Sequence, residues 1–437
     1  MLQLSTWQEF GFRDNPYSTD AIQTTGEQWR LLVGREKELK KISRQLNGGA
    51  PVVSLEGNFG VGKTSLAAVA AHQATTLRAA GGPLFITTSK PLSLRPSDTV
   101  ETFERRAFQQ IAAALIGHAD VLKKEGRPLR GLEDLKLWLL SPTGSGWNAA
   151  LGLNLSGYGG SLGGGKSRTP STSPGFTEAG VIQMIDGWLT ELFPDRSSGG
   201  VICFIDNLEE LKDTKIALDV LQPLRDPLLK RKGVRWIISG AQGIVRAAFA
   251  SQKMYGVFLN PIEVPPIDSK LVPDVIERRA RLLSMGEEAS LPVSKHAFRT
   301  LYESIGYNLR YSLNLAERFC YDSDPDELVA KSEEERDEEF KQFILQESEL
   351  VYKESAETLT KSDWAVFDKL LRDKAGSCSP SDFADFGYAG PSPLITRVNK
   401  LVAAHLVDYV IDESDLRRRS INATDHGRLA FYRHLHA

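Results

Sequence analysis

The stretch Gly57–Ser65, "GNFGVGKTS", decides the fold. Gly57, Gly62, Lys63 and Thr64 match the spacing G-x-x-x-x-G-K-[ST]. The context has the form such a loop needs. The apolar run "PVVSLEG" (51–57) lies before it, and the helix-forming "KTSLAAVAAHQATTLRAA" follows. Glycines let successive backbone N–H groups of residues 57–65 wrap around phosphates, with the helix N-terminus adding favourable dipole charge. The candidate nucleotide-binding residues of the loop are therefore Gly57, Asn58, Phe59, Gly60, Val61, Gly62, Lys63, Thr64 and Ser65. In such a loop the lysine reaches the β- and γ-phosphates and the hydroxyl ligates Mg²⁺, which assigns Lys63 and Thr64. The expected cofactors are ATP and Mg²⁺.

Working outward, strand-like runs alternate with helical stretches through the first 270 residues. They are "PLFITTS" (83–89), "VICFID" (201–206), "VRWIISG" (234–240) and "YGVFLNPIEVPPI" (255–267). This alternation predicts an α/β fold with a parallel sheet. Asp206 ends the second of these runs, where a carboxylate reaches a metal through water. It is the expected magnesium-side acid. Asn207 follows it, and an amide has no useful proton affinity. Glu209 and Glu210, three and four residues beyond Asp206, are the acids that a helical turn would bring back to the metal side, and Glu209 is the expected base. Glu56 is a further carboxylate at the end of the first strand.

From about residue 270 the pattern turns helical. "DSKLVPDVIERRARLLSMG", "SKHAFRTLYESIG" and "LRYSLNLAERFCYD" repeat apolar residues at three- and four-residue spacing. Asp322–Glu357 holds 14 acids and 4 bases, which reads as a solvated helical connector. Residues 358–437 carry a net charge of only +1 within a chain of −3 overall. The expected division is an α/β nucleotide-binding core over 1–268, a helical lid over 269–321, the acidic connector over 322–357 and a winged helix-turn-helix over 358–437. Thr143–Gly175, with ten glycines and no acids, is an insertion in the core. It reads as a surface loop whose Lys166 and Arg168 would meet a partner if it orders on one.

Taken in order, these motifs resemble an AAA+ ATPase of the origin-recognition, replication-initiator branch, over roughly residues 12–320. "NPYSTDAI" and "LLVGREKELKKI" are similar to the segment that cradles adenine in that branch, which implicates Gly34 and Arg35. "WIISG" is similar to the strand bearing sensor 1, with Ser239 as its polar residue. "IGYNLRYSLNLAE" is similar to the sensor 2 helix, in which Arg310 would reach the γ-phosphate. The resemblance implies a self-assembling ATPase, with Lys63, Asp206, Glu209 and Arg310 as its catalytic set. Arg246 is the arginine placed where a neighbouring subunit would be met. The sequence departs from the pattern at Asn207, where the family has a glutamate, and this implies slow turnover.

In the last unit, "SPLITRVNKLVAAHLV" is the expected recognition helix and "DYVIDESDLRRRSINAT" the expected wing. Asp415, Arg417, Thr424 and Gly427 resemble the wing of MarR-type regulators in spacing. Thr396, Arg397, Asn399 and Lys400 would enter a major groove, and Arg417, Arg418 and Arg419 would meet phosphates or the minor groove. Against this stands the low net charge. A protein-contact role, as in a STAND-type signalling ATPase, is the alternative. Composition excludes other classes. At 41% hydrophobic and 25% charged residues the chain is ordinary for a soluble protein, with no apolar run of membrane length. Three dispersed cysteines suggest neither a disulfide framework nor a zinc site, and a reducing, cytoplasmic setting is expected.

Overall fold

A computed structural model describes residues 5–24, 26–78, 81–139, 178–208, 214–240, 245, 251–286, 289–355, 358–411 and 419–436. The glycine-rich insertion, Glu209, Glu210, Arg246, Arg417 and Arg418 lie outside the described residues, as do the side chains of Arg419 and its neighbours in the wing.

The five expected strands form as β1 (Val52–Glu56), β2 (Leu84–Thr87), β4 (Gly199–Asp206), β5 (Val234–Gly240) and β6 (Ile262–Glu263), and a short strand that the sequence reading did not expect, β3 (Leu92–Ser93), joins them. All pair in parallel, in the order β2-β4-β5-β1-β6, with β3 also beside β4. Helices cover both faces, so the strands read as continuous apolar runs rather than alternating ones. The two-residue period still sorts their side chains. Val53, Leu55, Ile202 and Ile237 face α2 (Glu36–Asn47) and α3 (Lys63–Thr76). Val52, Val201, Cys203, Trp236 and Ile238 face α4 (Val100–Gly117) and α7 (Glu178–Leu192). Between α4 and α7 the chain forms α5 (Ala119–Lys124) and α6 (Leu132–Leu139), and α8 (Thr214–Leu221) follows β4.

β5 lies between β1 and β4, with Leu55 opposite Ser239 and Ile205 opposite Ile238. The C-terminal ends of three strands therefore meet at one edge. β1 delivers the loop from Gly57, β4 delivers Asp206 and β5 delivers Ser239.

The helical part follows as α9 (Val272–Leu283), α10 (Lys295–Ser304) and α11 (Leu309–Asp322). It departs from expectation in two respects. The N-terminal segment, assigned by sequence to the α/β core, buries Trp7, Phe10, Phe12 and Tyr17 in the same cluster as Val275, Phe298, Tyr302 and Phe319 of the helices. Its apolar side chains have no free sheet face to cover, since α2–α4 and α7 already occupy both. Buried Arg279 of α9 holds this segment by donating to the carbonyls of Pro16 (3.2 Å) and Ser18 (2.7 Å). The acidic connector is likewise not solvated all round. After the short α12 (Pro325–Ala330), α13 (Glu333–Ser355) buries Phe340 and Ile344 in that cluster, leaves Glu333, Glu334, Glu335 and Glu338 exposed, and turns Asp337 onto Ser294 and Glu347 onto Arg318.

The C-terminal unit runs helix, strand, 3₁₀ segment, helix, two strands and helix. α14 (Lys361–Asp373) leads to β7 (Ser377–Cys378), a 3₁₀ segment (Pro380–Phe386) and α15 (Pro391–Ala403). Strands β8 (Val407–Ile411) and β9 (Arg419–Ala423) and helix α16 (Asp425–Leu435) complete it. β7-β9-β8 form an antiparallel sheet, and α16 packs along α13, where Arg433 pairs with Glu349.

Candidate nucleotide site

The loop after β1 turns through Gly60 (φ +80°) and Gly62 (φ +91°) into α3. Lys63 is buried, and its Nζ donates to the carbonyls of Gly57 (2.9 Å) and Asn58 (3.1 Å). Thr64 donates from Oγ1 to Asp206 Oδ2 at 2.6 Å, and Ser239 donates from Oγ to Asp206 Oδ1. Loop, strand-end acid and sensor 1-type serine therefore converge on one buried carboxylate. Ser65 accepts the backbone N–H of Ile22 at 3.0 Å, which lays the N-terminal segment across the start of α3.

Beyond Thr64 and Asp206 opens a cavity of about 190 Å³. Its lining includes six hydroxyl side chains, those of Thr24, Thr64, Thr87, Thr88, Ser89 and Ser239, with Phe204 and Ile237 among its apolar walls. Hard oxygen donors beside a space open to water suit Mg²⁺, which keeps most of its water and takes one or two protein ligands plus phosphate oxygens. The residues present fit that ion, with Thr64 and Asp206 as its protein side.

Arg35 is buried and braces the loop. Its Nη2 donates to the Val61 carbonyl at 2.8 Å and its Nη1 lies 3.7 Å from Glu38. Desolvation lowers its pKa, partly offset by Glu38. The next backbone turn, Gly34 (φ +68°), faces Leu271 at the entry to the helical part. The sequence assigned Gly34 and Arg35 to adenine. In the structure Arg35 reaches the Val61 carbonyl of the loop and Gly34 faces Leu271.

Arg310 lies exposed on α11 with its guanidinium over the Phe59 ring, 5.2 Å from the centroid. Asn308 caps α11 by accepting from Tyr311 N–H, and it abuts the loop tip: a Cβ at Gly60 would come within 2.5 Å of its Oδ1. Glycine at position 60 meets both demands, positive φ and close approach.

Asn207 takes φ +60°, in the left-handed region. Of the non-glycine residues, asparagine and aspartate are the ones that enter it routinely. The departure at this position thus coincides with a backbone geometry that a glutamate on a continuing strand would not share.

Three features were not found from sequence. Asn58 Nδ2 donates to the Ala375 carbonyl of the C-terminal unit at 3.0 Å. Arg428 of α16, 5% exposed, donates from Nη1 to the carbonyls of Ile305 and Gly306, both at 2.7 Å. Burial pushes its pKa down to about 10. Finally, Asp363 of α14, fully buried, receives both residues expected to read a groove: Arg397 Nη1 at 3.0 Å and Lys400 Nζ at 3.6 Å. Burial raises the Asp363 pKa, but the Thr360 hydroxyl and amide, Arg397 and Lys400 outweigh it and hold the carboxyl at about 2. Apart from the Thr360–Asp363 capping box, none of these contacts has a local spacing signal, since each joins segments tens to hundreds of residues apart.

The fold is an α/β P-loop core with an AAA+-type order of strands, the strand of Ser239 lying between those of the Gly57–Ser65 loop and Asp206. No family model and no curated protein sequence matches the chain. Among solved structures it is similar to the Walker-type ATPase PABY2304 of Pyrococcus abyssi, at 14% identity and a TM-score of 0.40, over 96% of this chain and 99% of that one. It is similar to the ORC1 protein of Aeropyrum pernix in complex with DNA, at 14% and 0.42, over 98% and 97%. To the ORC2 protein of the same organism the values are 11% and 0.43, over 97% of each chain.

Proposed function

We propose that the protein is an ATP-binding, slowly hydrolysing switch whose nucleotide state is passed to the C-terminal winged-helix unit. The observation that carries this reading is the convergence of Thr64 and Ser239 on Asp206 beside the Lys63 loop. When bound, Mg²⁺ supplies charge neutralisation at the β- and γ-phosphates. The chain's own residues do the rest. Backbone N–H groups of 57–65 hold the phosphates, Lys63 neutralises them, Ser239 orients Asp206, and Arg310 reaches the terminal phosphate from α11. Asn207 cannot take a proton from water, so turnover is slow, with Glu209 as the proposed base.

The test is binding of a fluorescent ATP analogue. Lys63→Ala abolishes it, whereas unchanged affinity in that variant overturns the site. Glu209→Gln lowers phosphate release further.

The proposed output is DNA binding through Arg417–Arg419. A second reading is favoured by a specific observation: Arg397 and Lys400 are engaged with Asp363, and the unit sits against the nucleotide loop through Asn58. Under that reading the unit works within the chain, as in a STAND-type switch. Affinity for duplex DNA that falls steeply with salt and with loss of the three wing arginines selects the first. Its absence selects the second.

A further inference from the structure

We propose that the winged-helix unit is a latch on the nucleotide site, held through Asn58 and released by a triphosphate. The inference rests on the nucleotide-site reading and adds its regulation.

Asn58 is engaged at both ends. Its carbonyl accepts from Lys63 Nζ at 3.1 Å, and its side-chain amide donates to the Ala375 carbonyl at 3.0 Å. Ala375 sits in the turn after α14 with φ +50°, next to Gly376 with φ +86°. Arg428 Nη2 points at the same carbonyl at 3.5 Å, while Nη1 holds Ile305 and Gly306. The fit is tight: a Cβ at Gly376 would come within 2.1 Å of Arg428 Nη2. Ile305 and Gly306 begin the turn that ends in Asn308 and Arg310. The turn after α14, the turn before α11 and the tip of the phosphate loop are thus one packed junction. Asp425, one helical turn from Arg428, is close enough to Arg310 for the two charges to interact.

Two contacts of this junction use groups that a γ-phosphate recruits. Lys63 rests on the Asn58 carbonyl, and Arg310 rests on Phe59. When both turn to the phosphate, residues 58 and 59 lose the partners that fix them in the docked geometry. Coupling of this kind is reciprocal: the factor by which a triphosphate weakens docking is the factor by which docking weakens triphosphate binding.

The experiment is hydrogen–deuterium exchange of the full chain, with and without Mg²⁺ and a saturating non-hydrolysable ATP analogue, alongside an analogue titration. The expected result is faster exchange at 374–377 and 424–430 when the analogue is bound. Asn58→Ala shows that faster exchange without nucleotide and binds the analogue about two- to tenfold tighter, the effect of one hydrogen bond. Arg428→Gln does the same from the other side of the junction. If that variant fails to fold, Asn58→Ala, checked by circular dichroism, carries the test. Unchanged exchange with the analogue bound, or unchanged affinity in Asn58→Ala, overturns the latch and leaves the nucleotide site standing. No analogue binding in the wild type overturns both.

Discussion

Asn207 shows what a single backbone angle decides. At φ +60° most side chains pay about 1–2 kcal/mol, asparagine less and glycine least. Asn207→Glu is therefore expected to be less stable by about 1 kcal/mol. Asn207→Glu is also expected not to speed phosphate release, because the left-handed backbone directs the new carboxylate away from the line of β4. Differential scanning calorimetry and a phosphate-release assay check both halves. A large rate gain in Asn207→Glu would show that only the side chain, and not the backbone, had changed at this position. Asp206 contrasts with it. Its place was legible from the apolar run that it ends, because the C-terminal ends of the strands in a parallel sheet are where a ligand would bind.

At the scale of elements, α14 and α15 are joined by a charge cluster rather than by apolar packing alone. Asp363 closes a capping box with Thr360 and also holds Arg397 and Lys400. Its pKa is depressed on folding, so the stabilisation is complete well above the unfolded value near 4 and is lost as pH falls towards 2. Asp363→Asn is expected to lower the unfolding temperature at pH 7 and to flatten its fall between pH 5 and 2, as followed by thermal unfolding monitored by circular dichroism. An unchanged acid limb would remove the cluster from the stability of the unit. From sequence, Arg397 and Lys400 read as free groove-facing cations, because helical spacing gives the face a residue occupies but not what stands opposite. The acidic run over 322–357 misled for the same reason. Charge density dominates its composition, yet Phe340 and Ile344 at four-residue spacing are enough to bury one face of α13.

At the scale of the molecule, the candidate nucleotide site is assembled from parts that are remote in the chain: the loop at 57–65, the acid at 206 and the serine at 239, with Arg310 over Phe59 and the turn at 375 against Asn58 at the loop tip. A ligand bound to such a junction stabilises all of it. Mg²⁺–ATP at a hundred times its dissociation constant is expected to add about 2.7 kcal/mol, seen as a rise in unfolding temperature. The rise is expected to vanish in Lys63→Ala and to lose its dependence on Mg²⁺ in Asp206→Asn. A magnesium-dependent rise that survives Asp206→Asn would place the metal elsewhere. Among the described residues no helix is long and apolar enough to cross a membrane.

By itself the sequence determined what depends on neighbours in the chain. The spacing of Gly57, Gly62, Lys63 and Thr64 made the loop. Continuous apolar runs made the parallel strands, and the period of three to four made the helices. Tertiary structure alone decided what depends on segments far apart meeting. It placed β5 between β1 and β4, so that Ser239 reaches Asp206. It sent Trp7, Phe10 and Tyr17 to the helical part rather than the sheet, and it turned Arg397 and Lys400 onto Asp363. It also set Asn58 against Ala375. The physical reason is common to all of these. Hydrophobic burial is non-directional and says only that a face must be covered, whereas the partner that covers it is fixed by which other faces remain open once the sheet has closed.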